Sequence, residues 1–236
     1  MSDPDLAQGP NGKPPVPGRP PGLIRRLYRE ERDAWRKHYR KYFKYAARAL
    51  GAGFVVGFVF FMLSPGQEKK ALDFVIRALK DIKLQGSPLV LALTLFYHNA
   101  RASVVAIAAG VVPFLFLPIL DPLLNGGVLG LLVSVTKHQG LDVPRLVLTK
   151  ILPHGVFELT AVLYTTSLGL YLSAGMGKKA VAAWHQRRNG QQPQPPAAVD
   201  PTESLARNVF RSFLLVVLPL LLVAAFIEGF ITPSLR

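Results

Sequence analysis

The sequence predicts an all-α integral membrane protein with about five transmembrane helices. Three observations carry this. Half of the 236 residues are hydrophobic. Several uninterrupted apolar runs match the about 20 residues that a helix needs to cross hydrocarbon. These runs are continuous rather than alternating, so of the two structures that satisfy backbone polar groups in lipid, the helix fits and the barrel does not. Cysteine is absent, which excludes disulfides, thiolate metal sites and cysteine nucleophiles. The net charge of +14 reads first as membrane topology and attraction to an anionic inner leaflet. No nucleic-acid-reading motif accompanies it, so nucleic acid is not an expected partner.

The elements follow in order. Residues 1–22 are rich in Pro and Gly and lack an apolar core. They predict a disordered tail rather than a cleavable signal peptide. Residues 23–45 predict a basic amphipathic helix. From Leu23 to Arg48 there are ten Lys or Arg against Glu30, Glu31 and Asp33. Ile24, Tyr28, Trp35, Tyr39 and Tyr42 recur on one helical face. That stripe suits either the inner leaflet surface or packing on the rest of the protein.

Residues 46–236 form the expected membrane domain. The first span is 46–63, and its Gly51, Gly53 and Gly57 suit close helix contact and suggest a homodimer. Ser64-Pro65-Gly66 ends it. An amphipathic helix over 68–85 is too charged to cross and is expected on the far side, with Leu72, Val75, Ile76, Leu79 and Ile82 on one face. The second span, 89–117, is overlong and holds His98, Asn99 and Arg101, with Gly110, Pro113 and Pro118 weakening its second half. A kinked or broken helix is expected. Asp121-Pro122 reads as an N-cap and first-turn pair for the third span, 123–135. The fourth span is 146–175. A flexible linker, 189–201, precedes the fifth, 212–231.

The positive-inside rule places the N-terminus and the 175–211 loop in the cytoplasm and the C-terminus outside a cell inner membrane. Under that topology His98, Asn99, His154, Glu158 and Glu228 all fall in the outer half of the bilayer. His38 and His185 are expected to be solvated, and His138 to lie in an outer loop without a partner.

Ionisable residues in hydrocarbon are costly and usually have work to do. His154 and Glu158 are four apart and share a helix face. With Glu228 they form one expected polar site, and His98, Asn99 and Arg101 are further candidate buried polar residues. An imidazole and two carboxylates are a donor set for a divalent metal such as zinc. They equally suit a metal-free lock in which Arg101 pairs with Glu158 or Glu228, or a proton or ion path. Pro153 removes a backbone donor and tends to kink the helix before His154.

Pro153-His154-Gly155-Val156-Phe157-Glu158-Leu159 resembles the PHGxxEL signature of the stage II sporulation protein M family. Residues 224–233, AAFIEGFITP, resemble that family's terminal A-x-x-I-E-x-x-I-T segment. Asn99 matches one of the family's paired Asn positions, and His98 stands where the other is usual. Asn125-Gly126 and Gly130 also fit. The resemblance covers about residues 46–233. It implies a multi-span inner-membrane protein. In spore formers the family member scaffolds two partners that degrade septal peptidoglycan during engulfment. The resemblance thus points to a non-enzymatic scaffold for cell-envelope partners. An intramembrane metal-dependent hydrolase and a permease remain open on the residues alone, although there is no HExxH motif.

Overall fold

The computed structural model describes residues 22–80, 87–189 and 205–232. The expected tail and linker fall almost wholly outside these, as does Ile82. Among the described residues there are helices and no strand.

Five helices are long and apolar enough to cross a membrane. They are α1 (Leu23–Leu63), α3 (Pro88–Ala109), α4 (Leu117–His138), α5 (Leu152–Arg188) and α6 (Leu205–Ile231). The amphipathic helix after the first span is α2 (Pro65–Lys80). The expected number of spans and the expected extra helix are both present. The basic segment is helical, as expected, and continues into the first span: it is the first half of α1, which runs unbroken for 41 residues. At 1.5 Å per residue that is about 61 Å, twice the hydrocarbon thickness.

α5 is the central helix. Its middle, from Tyr164 to Leu170, is buried throughout. It packs on α1, α3, α4 and α6. Four of those seven buried residues are Tyr, Thr, Thr and Ser, so the core of this bundle is joined by hydroxyls as well as by carbon.

The closest helix pair is α1 with α4. A side chain at Gly53 or Gly126 would fall on the backbone of the facing helix, at Leu123 and Leu50 respectively. Gly57 faces Gly127 in the same seam, where an added Cβ would lie 2.7 Å from the Gly127 carbonyl oxygen. Small residues let backbones approach where lipid supplies no hydrophobic drive. The glycine face that suggests a homodimer is therefore occupied within the chain by α4. Gly51 alone of the three meets open space.

The second span is broken, as expected. α3 stops at Ala109, and residues 110–116 are irregular before α4 opens with the 3-10 turn Leu117–Ile119. Phe114 and Phe116 sit in the left-handed region, at φ 70° and 47°. Such backbone survives at membrane depth only against protein. Here Ser173 donates to the Val112 carbonyl at 3.3 Å and Thr166 to the Pro118 carbonyl at 3.4 Å, both from α5. Asp121 is not an N-cap. α4 already begins at Leu120 on the turn before it, and the Asp121 side chain instead accepts from Asn125 at 3.0 Å.

Replacing Gly126 with Leu should lower the stability of the detergent-purified protein by about 1–3 kcal/mol, the usual cost of overpacking. The same change at Gly51 should be tolerated. Thermal unfolding of both variants checks this.

Candidate functional site

Pro153 cannot donate a backbone hydrogen bond and crowds the carbonyl four residues back, that of Thr149. The chain answers with a π-helical turn, Val147–Ile151, which ends two residues before the proline. α6 repeats the device. The π turn Phe213–Val217 ends two residues before Pro219. A third π turn, Ile227–Ile231, carries Glu228 itself. Gly229 in that turn lies against Pro88 and Ala92 of α3, where any Cβ would come within 2.7 Å of the Pro88 carbonyl oxygen. Glu228 is thus brought to the first turn of α5.

His154 Nδ1 and Glu228 Oε2 meet at 2.8 Å. Both atoms are buried, and the approach is an ion-pair contact rather than a well-aligned hydrogen bond. One turn further along α5, Glu158 Oε1 accepts from Asn99 Nδ2 of α3 at 3.1 Å. Asn99 and Glu158 also line a cavity of about 90 Å³ with Ser103, Asp121 and Asn125. That volume has room for several waters, so the Glu158 carboxylate borders a polar chamber rather than hydrocarbon.

His154, Glu158, Glu228 and Asn99 are therefore brought together from α3, α5 and α6. His98 and Arg101 are not. Half-buried His98 and exposed Arg101 line a different space, an open groove of about 430 Å³ between α3 and α4 that Asp121 also borders. Arg101 makes no ion pair with Glu158 or Glu228, and it is not a buried residue. Two positions separate it from Asn99, about 200° around a helix, so the two face apart. Among the described residues, no three His, Asp or Glu side chains gather as a group that could hold a metal ion. One oxygen of Glu158 is engaged by Asn99 instead. The donor chemistry suits zinc, but this arrangement does not present it as a metal site.

Two further polar clusters lie at opposite ends of the bundle. In the first, buried Glu31 of α1 accepts from Tyr164 Oη at 2.6 Å and from Ser212 Oγ at 2.8 Å. Arg211 approaches both Glu31 and Glu30, at 3.5 and 3.0 Å. The Ser212 hydroxyl lies 3.1 Å from that of Tyr39, which is fully buried. Trp35 stacks on Tyr164 at 5.4 Å. The central part of the aromatic stripe thus packs on the protein, while Ile24 and Tyr28 at its end stay exposed. His38 lies against Tyr171 at 5.2 Å and is half-buried rather than solvated. His185 is exposed, as expected.

The second cluster ties α2 to α4. Glu68 accepts from Ser134 Oγ at 2.5 Å and meets His138 Nδ1 at 2.8 Å. His138 is therefore in the last turn of α4 with a carboxylate partner, not in a loop without one. Sequence reasoning passed over both acids because each sits in a charged segment, where exposure is the default. One signal existed. Glu31, Trp35 and Tyr39 are spaced by four, so Glu31 shares the face of the stripe.

The fold and these sites define a multi-pass helical membrane protein whose spans are joined by buried polar pairs. The family model of stage II sporulation protein M matches residues 46–233. The chain belongs to that family. No curated protein and no solved structure matches it.

Two outcomes test the clusters. His154→Ala and Glu228→Ala should each lower unfolding stability in detergent. Their effects should be non-additive by about 1 kcal/mol, the scale of interhelical polar contacts in bilayers; additive effects would mean the contact carries no energy. Glu31→Ala should cost about 1–3 kcal/mol, because it leaves the buried Tyr164 and Ser212 hydroxyls without their acceptor. Glu30→Ala, at a half-exposed pair, should cost less than about 1 kcal/mol.

Proposed function

We propose that this protein is a non-enzymatic scaffold of the cell inner membrane that gathers peptidoglycan-remodelling partners. In this reading its N-terminus is cytoplasmic and its C-terminus is outside. The observation that carries the reading is the α3–α4 groove. Arg101 is exposed there, 13 residues into α3, about 20 Å along a helix that must cross about 30 Å of hydrocarbon. A charge facing lipid at such depth costs at least about 2.5–3.5 kcal/mol. A partner helix bearing a carboxylate or a carbonyl would offset that, and Asp121 beside it offers a complementary site for a donor. The groove is what a scaffold needs and what a self-contained catalyst does not.

Family membership supports the envelope assignment. The orientation is supported by charge, since Lys37 and Lys41 of α1 and Lys178 of α5 border a single pocket and so lie on one side. The half-buried trio of His154, Glu158 and Glu228 acts in this reading as an internal brace, holding α3, α5 and α6 in register beside the groove.

Affinity purification from native membranes tests the proposal. The wild-type chain should recover proteins with peptidoglycan-acting domains. Arg101→Leu should lose them by tenfold or more while keeping its own membrane level and melting behaviour. Recovery of no envelope partner, or equal recovery by the variant, would reject the scaffold and the groove respectively.

A further inference from the structure

Three helices bring oxygen to one enclosed space. The cavity of about 90 Å³ beside Glu158 is walled by Asn99 and Ser103 of α3 and by Asp121 and Asn125 of α4, and Leu221 of α6 closes it. Asn99 and Ser103 are four apart, as are Asp121 and Asn125, so each pair shares a helix face. Every polar wall residue carries an oxygen, and no Lys, Arg or His is among them.

The acids orient the asparagines. A carboxylate can only accept, so the amide nitrogen must turn toward it. Asn99 Nδ2 donates to Glu158 Oε1 at 3.1 Å. Asn125 Nδ2 donates to Asp121 Oδ1 at 3.0 Å and to the Asp121 carbonyl at 2.9 Å. Among the described residues, this leaves each acid one oxygen, and each amide its carbonyl oxygen, without a hydrogen bond.

Ser103 gives an independent sign. It is 5% exposed and lines the cavity, and its hydroxyl makes no hydrogen bond among the described residues. Elsewhere in the bundle Thr136, Thr149, Thr160 and Ser167 turn back to the carbonyl four residues earlier. Ser103 does not. A buried hydroxyl left open toward a chamber of oxygens calls for an occupant.

Water would satisfy the hydroxyl but not the charge. Asp121 and Glu158 bring two carboxylates, and no Lys or Arg among the described residues forms an ion pair with either. The nearby His154 is engaged by Glu228. Burying unpaired charge is costly. A divalent cation balances both acids at once. Two carboxylates with amide and hydroxyl oxygens are the donor set of calcium, whereas zinc takes imidazole and thiolate more readily. The chamber thus differs from the trio of His154, Glu158 and Glu228, and it needs only two acids. It also has an entrance. Asp121 and Ala102 border both the cavity and the open α3–α4 groove, so an ion reaches the chamber past Asp121.

We propose that this chamber binds a calcium ion, with Asp121 and Glu158 as charged ligands, Asn99, Ser103 and Asn125 as neutral ones, and water completing the shell. The ion joins α3 to α4 and α5, across the irregular segment 110–116. The proposal does not depend on the scaffold reading.

The test uses the full chain in neutral detergent, stripped with chelator and titrated calorimetrically with calcium, magnesium or sodium chloride. Wild type should bind one calcium per chain with a dissociation constant below about 1 mM, and should melt at a higher temperature when loaded. Magnesium, which sheds its waters reluctantly, should bind at least tenfold more weakly. Ser103→Ala removes a ligand but no hydrogen bond. It should weaken calcium binding threefold or more while melting like wild type in chelator. Asp121→Asn should weaken binding at least tenfold, and Asp73→Asn, at an exposed acid outside the chamber, less than twofold. Absence of saturable calcium binding would overturn the proposal in favour of protonated acids around water. Magnesium or sodium binding as tightly as calcium would overturn the choice of ion. Unchanged affinity in Ser103→Ala, or equal losses in the Asp121 and Asp73 variants, would overturn the chamber as its location.

Discussion

In hydrocarbon, a polar group that fails to find a partner has no water to turn to. That constraint organises this bundle. The centre of α5 is a column of buried hydroxyls, and its first turns carry an imidazole and a carboxylate. Most are met by another helix: Glu228 from α6, Asn99 from α3, Glu31 from α1, and the carbonyls of Val112 and Pro118 from the broken segment before α4, while Ser167 turns back to the Leu163 carbonyl of α5 itself. The individual contacts are of modest strength, about 1 kcal/mol each. Their effect is more directional than energetic. Apolar packing would let α5 slide or rotate against its neighbours, and paired polar groups at both ends do not.

Much of this was legible in the sequence, and the reason is contrast. An ionisable residue within an apolar run stands out, so His154, Glu158 and Glu228 could be picked out and placed at one depth before any contact was known. The same contrast fails where the background is charged. Glu31 sits among ten Lys and Arg, and Glu68 opens a helix with charges on most of one side. Beyond the four-residue spacing that puts Glu31 on the face of Trp35 and Tyr39, nothing in their local sequence marks them as buried, because what buries them is Tyr164, Ser212, Ser134 and His138, all far along the chain. Arg101 is the opposite case. Its separation from Asn99 follows from helix geometry alone, and the 100° step that joins His154 to Glu158 also parts Asn99 from Arg101.

The spans themselves followed from hydropathy, but the ends of the helices did not. Hydropathy reports where lipid begins and says little about whether a helix continues past it. α1 and α5 both continue well beyond the apolar stretch, and their charged halves meet at the pocket that Lys37, Lys41 and Lys178 border. The glycine seam shows a similar limit. Small residues announce a close approach without naming the partner, and here it is α4 of the same chain.

The π turn at Phe213–Val217 sets an angular phase. Ser212 and Glu228 both face α5, one toward the Glu31 cluster and the other toward His154. They are sixteen positions apart, and an uninterrupted α-helix would leave them about 160° out of alignment, on opposite sides. Looping one residue out of the count brings the mismatch to about 60°, within reach of one neighbouring helix. A single-codon deletion in this turn would thus be read as a twist, not a shortening, and would swing one end of α6 away from its counterpart while leaving its hydropathy almost untouched.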